Sequence, residues 1–265
     1  MSKCRCAISR GSFPSVSRNE PSDGDRPRPG ATAPTIRWPR SPQVPCAVPA
    51  PRSGYPRPVP AVPSLLLVTD RRACGGRDLA DVVAAACDAG LPAVQLREKD
   101  LCGRALYVLA ERLRAVTARR RALLLVNERI DVAVAVGADG VHLGAGALAV
   151  PDARTLLPAG ALVGVSTHAP EELAATDADY AVFGPVWETP SKRAFGPPQG
   201  VARLRAAVAA ACVPVLAIGG VEVATAATAR AAGARGVAVI RGILAADDPA
   251  AATRALHAAC APPPR

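Results

Sequence analysis

A repeating rhythm in the last two hundred residues constrains this chain more than any other feature. Short apolar runs occupy residues 65–69, 93–97, 123–127, 140–143, 162–166, 180–184, 214–218 and 236–240. They are spaced roughly 15 to 35 residues apart, which suits β-helix-β units. Most are continuous rather than alternating, as expected of parallel strands covered on both faces. The stretches between them read as helices. Residues 78–89 end at Gly90, a helix-stopping glycine, and 224–232 end at Gly233. Residues 101–118 carry Leu106, Leu109, Leu113 and Val116 at helical spacing. Residues 201–211 follow the same pattern. Eight strands alternating with helices over about 200 residues predict a (β/α)8 TIM barrel. A doubly wound open sheet is the alternative, but it usually needs fewer strands.

The barrel is expected over residues 64–265, preceded by a disordered basic Pro-rich extension over 1–63. That extension holds 14 of the 27 prolines and shows neither helical nor strand periodicity. Such a segment buries too little apolar surface to offset its ordering entropy. It also carries most of the net charge of +10: ten Lys/Arg against three Asp/Glu, or +7. The remaining residues hold 22 Lys/Arg and 19 Asp/Glu, or +3, without a basic stripe interleaved with aromatics. Nucleic acid is therefore not an expected partner. No apolar run is long enough to span a bilayer, and the start lacks an apolar signal core. A membrane is not expected either, and the cytoplasm is the expected location. The eight cysteines contain no CxxC pair and read as buried or idle thiols. A homo-oligomer remains open.

In a TIM barrel the chemistry sits where strands end and the following loops begin. Strand two ends in Gln95, Leu96, Arg97, Glu98 and Lys99. Alternation puts Gln95, Arg97 and Lys99 on one side, a set suited to an anion such as a diphosphate. The bland reading is a surface salt-bridge patch with Glu98 and Asp100. Strand three ends in Asn127 and Glu128, and the carboxylate is a candidate Mg²⁺ ligand. Strand five ends in Ser166, Thr167 and His168. His168 is the best-placed general acid–base among three histidines; His142 and His257 read as structural. The long loop after strand six offers Thr189, Ser191 and Lys192. The Gly219–Gly220 pair and the Ile240–Arg241 turn end strands seven and eight, where barrels commonly bind phosphate.

Together these segments resemble the thiamine phosphate synthase/TenI family. The resemblance rests on QLREK at 95–99, NER-D at 127–131, DGVHLG at 139–144 and VGVSTH at 163–168. DYAVFGPVWETPSK at 179–192, AIGGV at 217–221 and GVAVIRGIL at 236–244 complete it. The resemblance implies binding of thiazole phosphate. It implies a TenI-type thiazole tautomerase first, with His168 and Lys192 catalytic and no cofactor. The alternative it implies is a synthase that joins a pyrimidine methyl diphosphate to thiazole phosphate and releases pyrophosphate, with Mg²⁺. On the synthase reading, Gln95 through Lys99, Asn127, Ser166 and Lys192 hold the pyrimidine diphosphate. Thr189, Ser191, Gly219, Gly220, Ile240 and Arg241 hold the thiazole phosphate. Against the family pattern, Glu128 stands where synthases carry Asp, and Ala147 stands where a second carboxylate falls. A non-catalytic thiazole-phosphate-binding regulator is the reading from another class.

Overall fold

The computed structural model describes residues 59–174, 176–189 and 197–261. Eight strands pair in sequence order, all parallel, and close on themselves. They are β1 (Leu65–Val68), β2 (Ala93–Leu96), β3 (Leu123–Asn127), β4 (Gly140–Leu143), β5 (Leu162–Thr167), β6 (Tyr180–Phe183), β7 (Val215–Ile218) and β8 (Gly236–Val239). The expected TIM barrel is therefore present, with every strand within one or two residues of its apolar run. Closure rests on β1 pairing with β8 through Leu65↔Val237, Leu66↔Ala238 and Leu67↔Val239.

The connecting helices are α1 (Leu79–Asp88), α2 (Gly103–Arg120), α3 (Ile130–Ala135), α4 (Val150–Leu156), α5 (Gly200–Ala210), α6 (Val223–Ala231), α7 (Arg241–Leu244) and α8 (Pro249–Ala259). Asp78 caps α1 by accepting from the Ala80 and Asp81 N–H groups. Among its described residues, the connection after β5 contains a 3₁₀ turn, Pro170–Leu173, and no α-helix. None of the described helices is long and apolar enough to cross a membrane.

The core forms two shells, as strand alternation dictates. Outward-facing residues such as Leu65, Leu67, Leu96, Leu124 and Val141 pack under the helices. Inward-facing Leu66, Val68, Ala93, Leu125, Leu162, Tyr180, Val182, Leu216 and Ala238 fill the barrel. Val62, just ahead of the predicted boundary at residue 64, already packs against this inner cluster.

Two aspartates fasten the strand starts in the same way. Asp139, just before β4, accepts from the Leu124 N–H of β3 at 2.9 Å and from Arg114 of α2 at 2.7 Å. Asp179, just before β6, accepts from the Val163 N–H of β5 at 2.7 Å and from Arg154 of α4 at 3.1 Å. The first Asp of the DGVHLG and DYAVFG segments thus closes a backbone donor and docks an outer helix.

Register explains one glycine. Asn127, His142, Gly164 and Tyr180 lie level across β3, β4, β5 and β6. The Tyr180 ring passes over Gly164 to reach His142, two strands away, where the rings stand 5.7 Å apart between centroids. A Cβ on Gly164 would collide with that ring. Gly164→Ala is therefore expected to cost about 1–3 kcal/mol or more through overpacking. Gly146→Ala, whose Cβ would meet open space, is expected to stay within about 0.5 kcal/mol. Urea unfolding of the two variants checks this; equal stabilities would remove the packing account.

Candidate active site

Because all strands run in one direction, every sequence-predicted site residue within the described chain lies at one end of the barrel. These residues end or follow β2, β3, β5, β6, β7 and β8. Ser191 and Lys192 lie outside the described residues.

The inner wall below this rim is a hydrogen-bonded polar layer. Gln95 is buried on β2 and donates its amide N–H to Asn127 Oδ1 on β3 at 3.0 Å. His142 is buried on β4, with Nε2 at 2.9 Å from Ser166 Oγ and Nδ1 at 3.1 Å from the Tyr180 hydroxyl. One ring nitrogen donates and the other accepts, and each hydroxyl turns to suit. Burial, aided by the positive charge of Arg97, pulls His142 down to about 4. The ring is therefore neutral at physiological pH. The sequence reading gave His142 a structural role, and its bond to Ser166 makes that role part of the site. The signal was available in strand alternation, which puts His142 on the Gly140 face.

The reading of 95–100 as a surface ion-pair patch is corrected in its partners. Glu98 and Asp100 pair with Arg71 and Arg72 from the loop after β1, instead of with Arg97 and Lys99. Arg71 donates to Glu98 through its backbone N–H at 3.0 Å and its guanidinium at 2.9 Å. The same guanidinium forms two 2.6 Å bonds to Asp100, and these chiefly hold Asp100 well below the usual carboxylate range. Glu98 itself is buried. Arg97 is anchored by its backbone N–H, which donates to Thr69 Oγ1 at 2.9 Å. Its side chain enters no ion pair with a described residue. The Arg71–Arg72 pair directly after the first apolar run was the overlooked signal.

Lys99 Nζ lies 3.9 Å from Glu128 Oε1, a long and half-exposed contact. Glu128 adopts the left-handed backbone conformation, with φ of 60°. Its carboxylate lies against Gly144, where a Cβ would block it. Among the described residues no three Asp, Glu, His or Cys side chains gather closely enough to hold a metal between them. The donor set still fits a Mg²⁺ shared with a diphosphate, since one carboxylate plus phosphate oxygens and water is a common Mg²⁺ environment. Ala147 contributes no ligand.

On the opposite side of the rim, His168 Nδ1 lies 2.6 Å from the Gly184 carbonyl oxygen. A carbonyl only accepts, so Nδ1 carries a proton, and it is Nε2 that is left to face a substrate. Its backbone N–H donates to Glu172 at 3.0 Å. Gly219 and Gly220 both have positive φ, 93° and 63°. Side chains there would strike Pro185 and Trp187. The Val186 and Trp187 N–H groups donate to Ile218 and Gly219 carbonyls at 2.8 and 3.1 Å, which ties the loop carrying Thr189 to the end of β7. Ile240 precedes the four-residue α7, whose first N–H groups have no side-chain cap, and Arg241 opens that helix. These two turns follow adjacent strands.

A closed ring of eight parallel strands, with basic side chains and glycine turns on its C-terminal rim, defines the chain as a TIM-barrel protein. The chain belongs to the thiamine monophosphate synthase family, whose sequence model matches residues 65–243. A Geobacter sulfurreducens relative, provisionally named a thiamine-phosphate synthase, is 48% identical over 202 residues, covering 75% of this chain and 95% of its own. A Roseiflexus castenholzii protein named thiamine-phosphate synthase is 45% identical over 193 residues, covering 72% and 85%. A solved thiamine phosphate pyrophosphorylase from Pyrococcus furiosus matches with a TM-score of 0.67 and 32% identity, covering 74% of this chain and 95% of that one.

The low His142 value gives a pH prediction. Between about 6.5 and about 4 the unfolded chain binds the proton that the folded chain refuses. Stability from this group is complete above that window and is lost as pH falls through it. Wild type is expected to lose on the order of 2–3 kcal/mol more than His142→Gln between about pH 7 and about pH 4.5. Urea unfolding at both pH values reads the difference; parallel losses would exclude His142 as the cause.

Proposed function

We propose that this chain is a thiamine-phosphate synthase. It would join a pyrimidine methyl diphosphate to thiazole phosphate with release of pyrophosphate. The carrying observation is the similarity to relatives named as synthases over 85–95% of their own length. This reverses the order expected from the sequence, which ranked the tautomerase first.

The rim chemistry agrees with the reading. Departure of a diphosphate builds charge on the leaving oxygens, and fixed cations there lower the barrier. Arg97 and Lys99 stand at the β2 end for that task. Gln95 and Asn127, already bonded to each other, orient the pyrimidine beside them, and His142 holds the Ser166 hydroxyl in place. Gly219, Gly220 and the Ile240–Arg241 turn would receive the thiazole phosphate, with Thr189, Ser191 and Lys192 from the preceding loop. Glu128 would hold Mg²⁺ together with the diphosphate, and the ion when bound offsets the charge of the departing group. Residues 1–58 of the Pro-rich segment expected to be disordered lie outside the described residues, and a cytoplasmic location suits the proposed reaction.

One observation favours the second reading. His168 offers Nε2 to a substrate at the rim, as a proton-transferring thiazole tautomerase needs, while Glu128 is the one candidate metal carboxylate among the described residues. Metal removal separates the two. With pyrimidine methyl diphosphate and thiazole phosphate supplied, the synthase is expected to form thiamine phosphate with Mg²⁺ and to lose at least about tenfold in rate with EDTA. Arg97→Ala is expected to cost roughly 10²-fold or more in the same assay. Absence of thiamine phosphate, with metal-independent aromatisation of a thiazole carboxylate phosphate that His168→Ala abolishes, would replace the synthase by the tautomerase.

A further inference from the structure

At the other end of the barrel, a cavity of about 610 Å³ opens beside the strand starts. Ser64 precedes β1 and Arg235 precedes β8, so this cavity lies away from the rim described above. Arg230 from the end of α6, Arg235 from the following loop, and Arg254 and His257 from α8 all line it. Residues 254 and 257 are three apart and share a helix face. Four basic side chains from three segments thus converge on one space. No Asp or Glu is among the described lining residues.

Two of these arginines have backbone carbonyls as their hydrogen-bond partners. Seven other arginines, from Arg71 to Arg154, are held in ion pairs with aspartate or glutamate. Arg230 and Arg235 instead donate to backbone carbonyls of Ala234 and Val62, and neither forms an ion pair with a described residue. Arg230 Nε is buried without a hydrogen-bond partner. A buried donor of this kind costs free energy until something accepts from it or its neighbourhood rearranges. The helix C-termini nearby offset part of the positive charge, as lysine and arginine there ordinarily do. They do not supply the several acceptor oxygens that three guanidinium groups can engage at once.

We infer that this cavity is a second anion site, built for a small phosphorylated molecule. Planar guanidinium groups match phosphate oxygens bidentately, and the volume lies within the range of small-molecule pockets. Ligand there would contact the β1 and β8 starts, whose pairing closes the barrel. The site is independent of which reaction the opposite rim performs.

The chain's three histidines make the test specific. His257 lines this cavity, His168 stands at the rim and His142 is buried in the barrel. The full-length protein would be titrated with inorganic diphosphate at constant ionic strength while the imidazole proton signals are followed by NMR, with His257→Gln used to assign its peak. The expected result is a saturable shift of the His257 signal. The Arg235→Ala/Arg254→Ala double variant, at exposed positions, is expected to raise its midpoint roughly tenfold or more, since charge-assisted bonds are lost. The His168 response is expected to stay unchanged in that variant. A His257 signal that stays still, drifts without saturating, or shifts with the same midpoint in the double variant would overturn the second site. Movement of His168 alone would assign all diphosphate binding to the rim.

Discussion

Closure of the sheet is the constraint on which everything else depends. Once β1 pairs with β8, every strand points the same way around a ring, and each strand end arrives at a common rim. Inward side chains then have nowhere to go but the barrel axis, so any polar one must find a partner there. Gln95 finds Asn127, and His142 finds both Ser166 and Tyr180. The inner wall is apolar below and hydrogen-bonded above. The change occurs within a single strand: on β2, Ala93 faces the apolar cluster and Gln95 the polar layer.

That layer gives the rim its rigidity. Ser166 is held from below by a histidine that burial keeps neutral, and that histidine is braced by Tyr180 through the space Gly164 leaves. Arg97 is held by its backbone to Thr69, with its charge close enough to depress His142. Glu98 and Asp100 are engaged by Arg71 and Arg72. The loop after β1 therefore neutralises the two carboxylates in the basic segment and leaves the Arg97 charge available to an anion. A cation kept out of ion pairs in a sequence with nearly balanced charge needs this kind of sorting, because adjacent residues of opposite sign would otherwise cancel one another.

Family membership and geometry bear on different parts of the chemistry. The family is that of the thiamine monophosphate synthases, which bears on the overall reaction proposed. The geometry bears on how charge and protons are handled. Glu128, bent into a left-handed turn against Gly144, and Ala147 leave a single carboxylate for a metal. His168, with a proton fixed on Nδ1 by Gly184, offers Nε2, a group that a purely ionic displacement does not call for. The rim therefore offers groups that either proposed reaction would use, and the metal requirement distinguishes the two.

The sequence by itself determined the ring. Eight continuous apolar runs at barrel spacing leave few other ways to bury both faces of each strand, and alternation along β2 already put Gln95 opposite Leu96. It also determined which strand ends carry polar groups, because those ends interrupt apolar runs. Only the tertiary structure decided the pairings: Arg71 with Glu98 and Asp100, Tyr180 with His142, and His168 with Gly184. Each joins residues 16 to 38 positions apart, so local pattern carries no trace of it. Register between neighbouring strands and the shape of the loops set those contacts, and both are fixed only when the last strand meets the first.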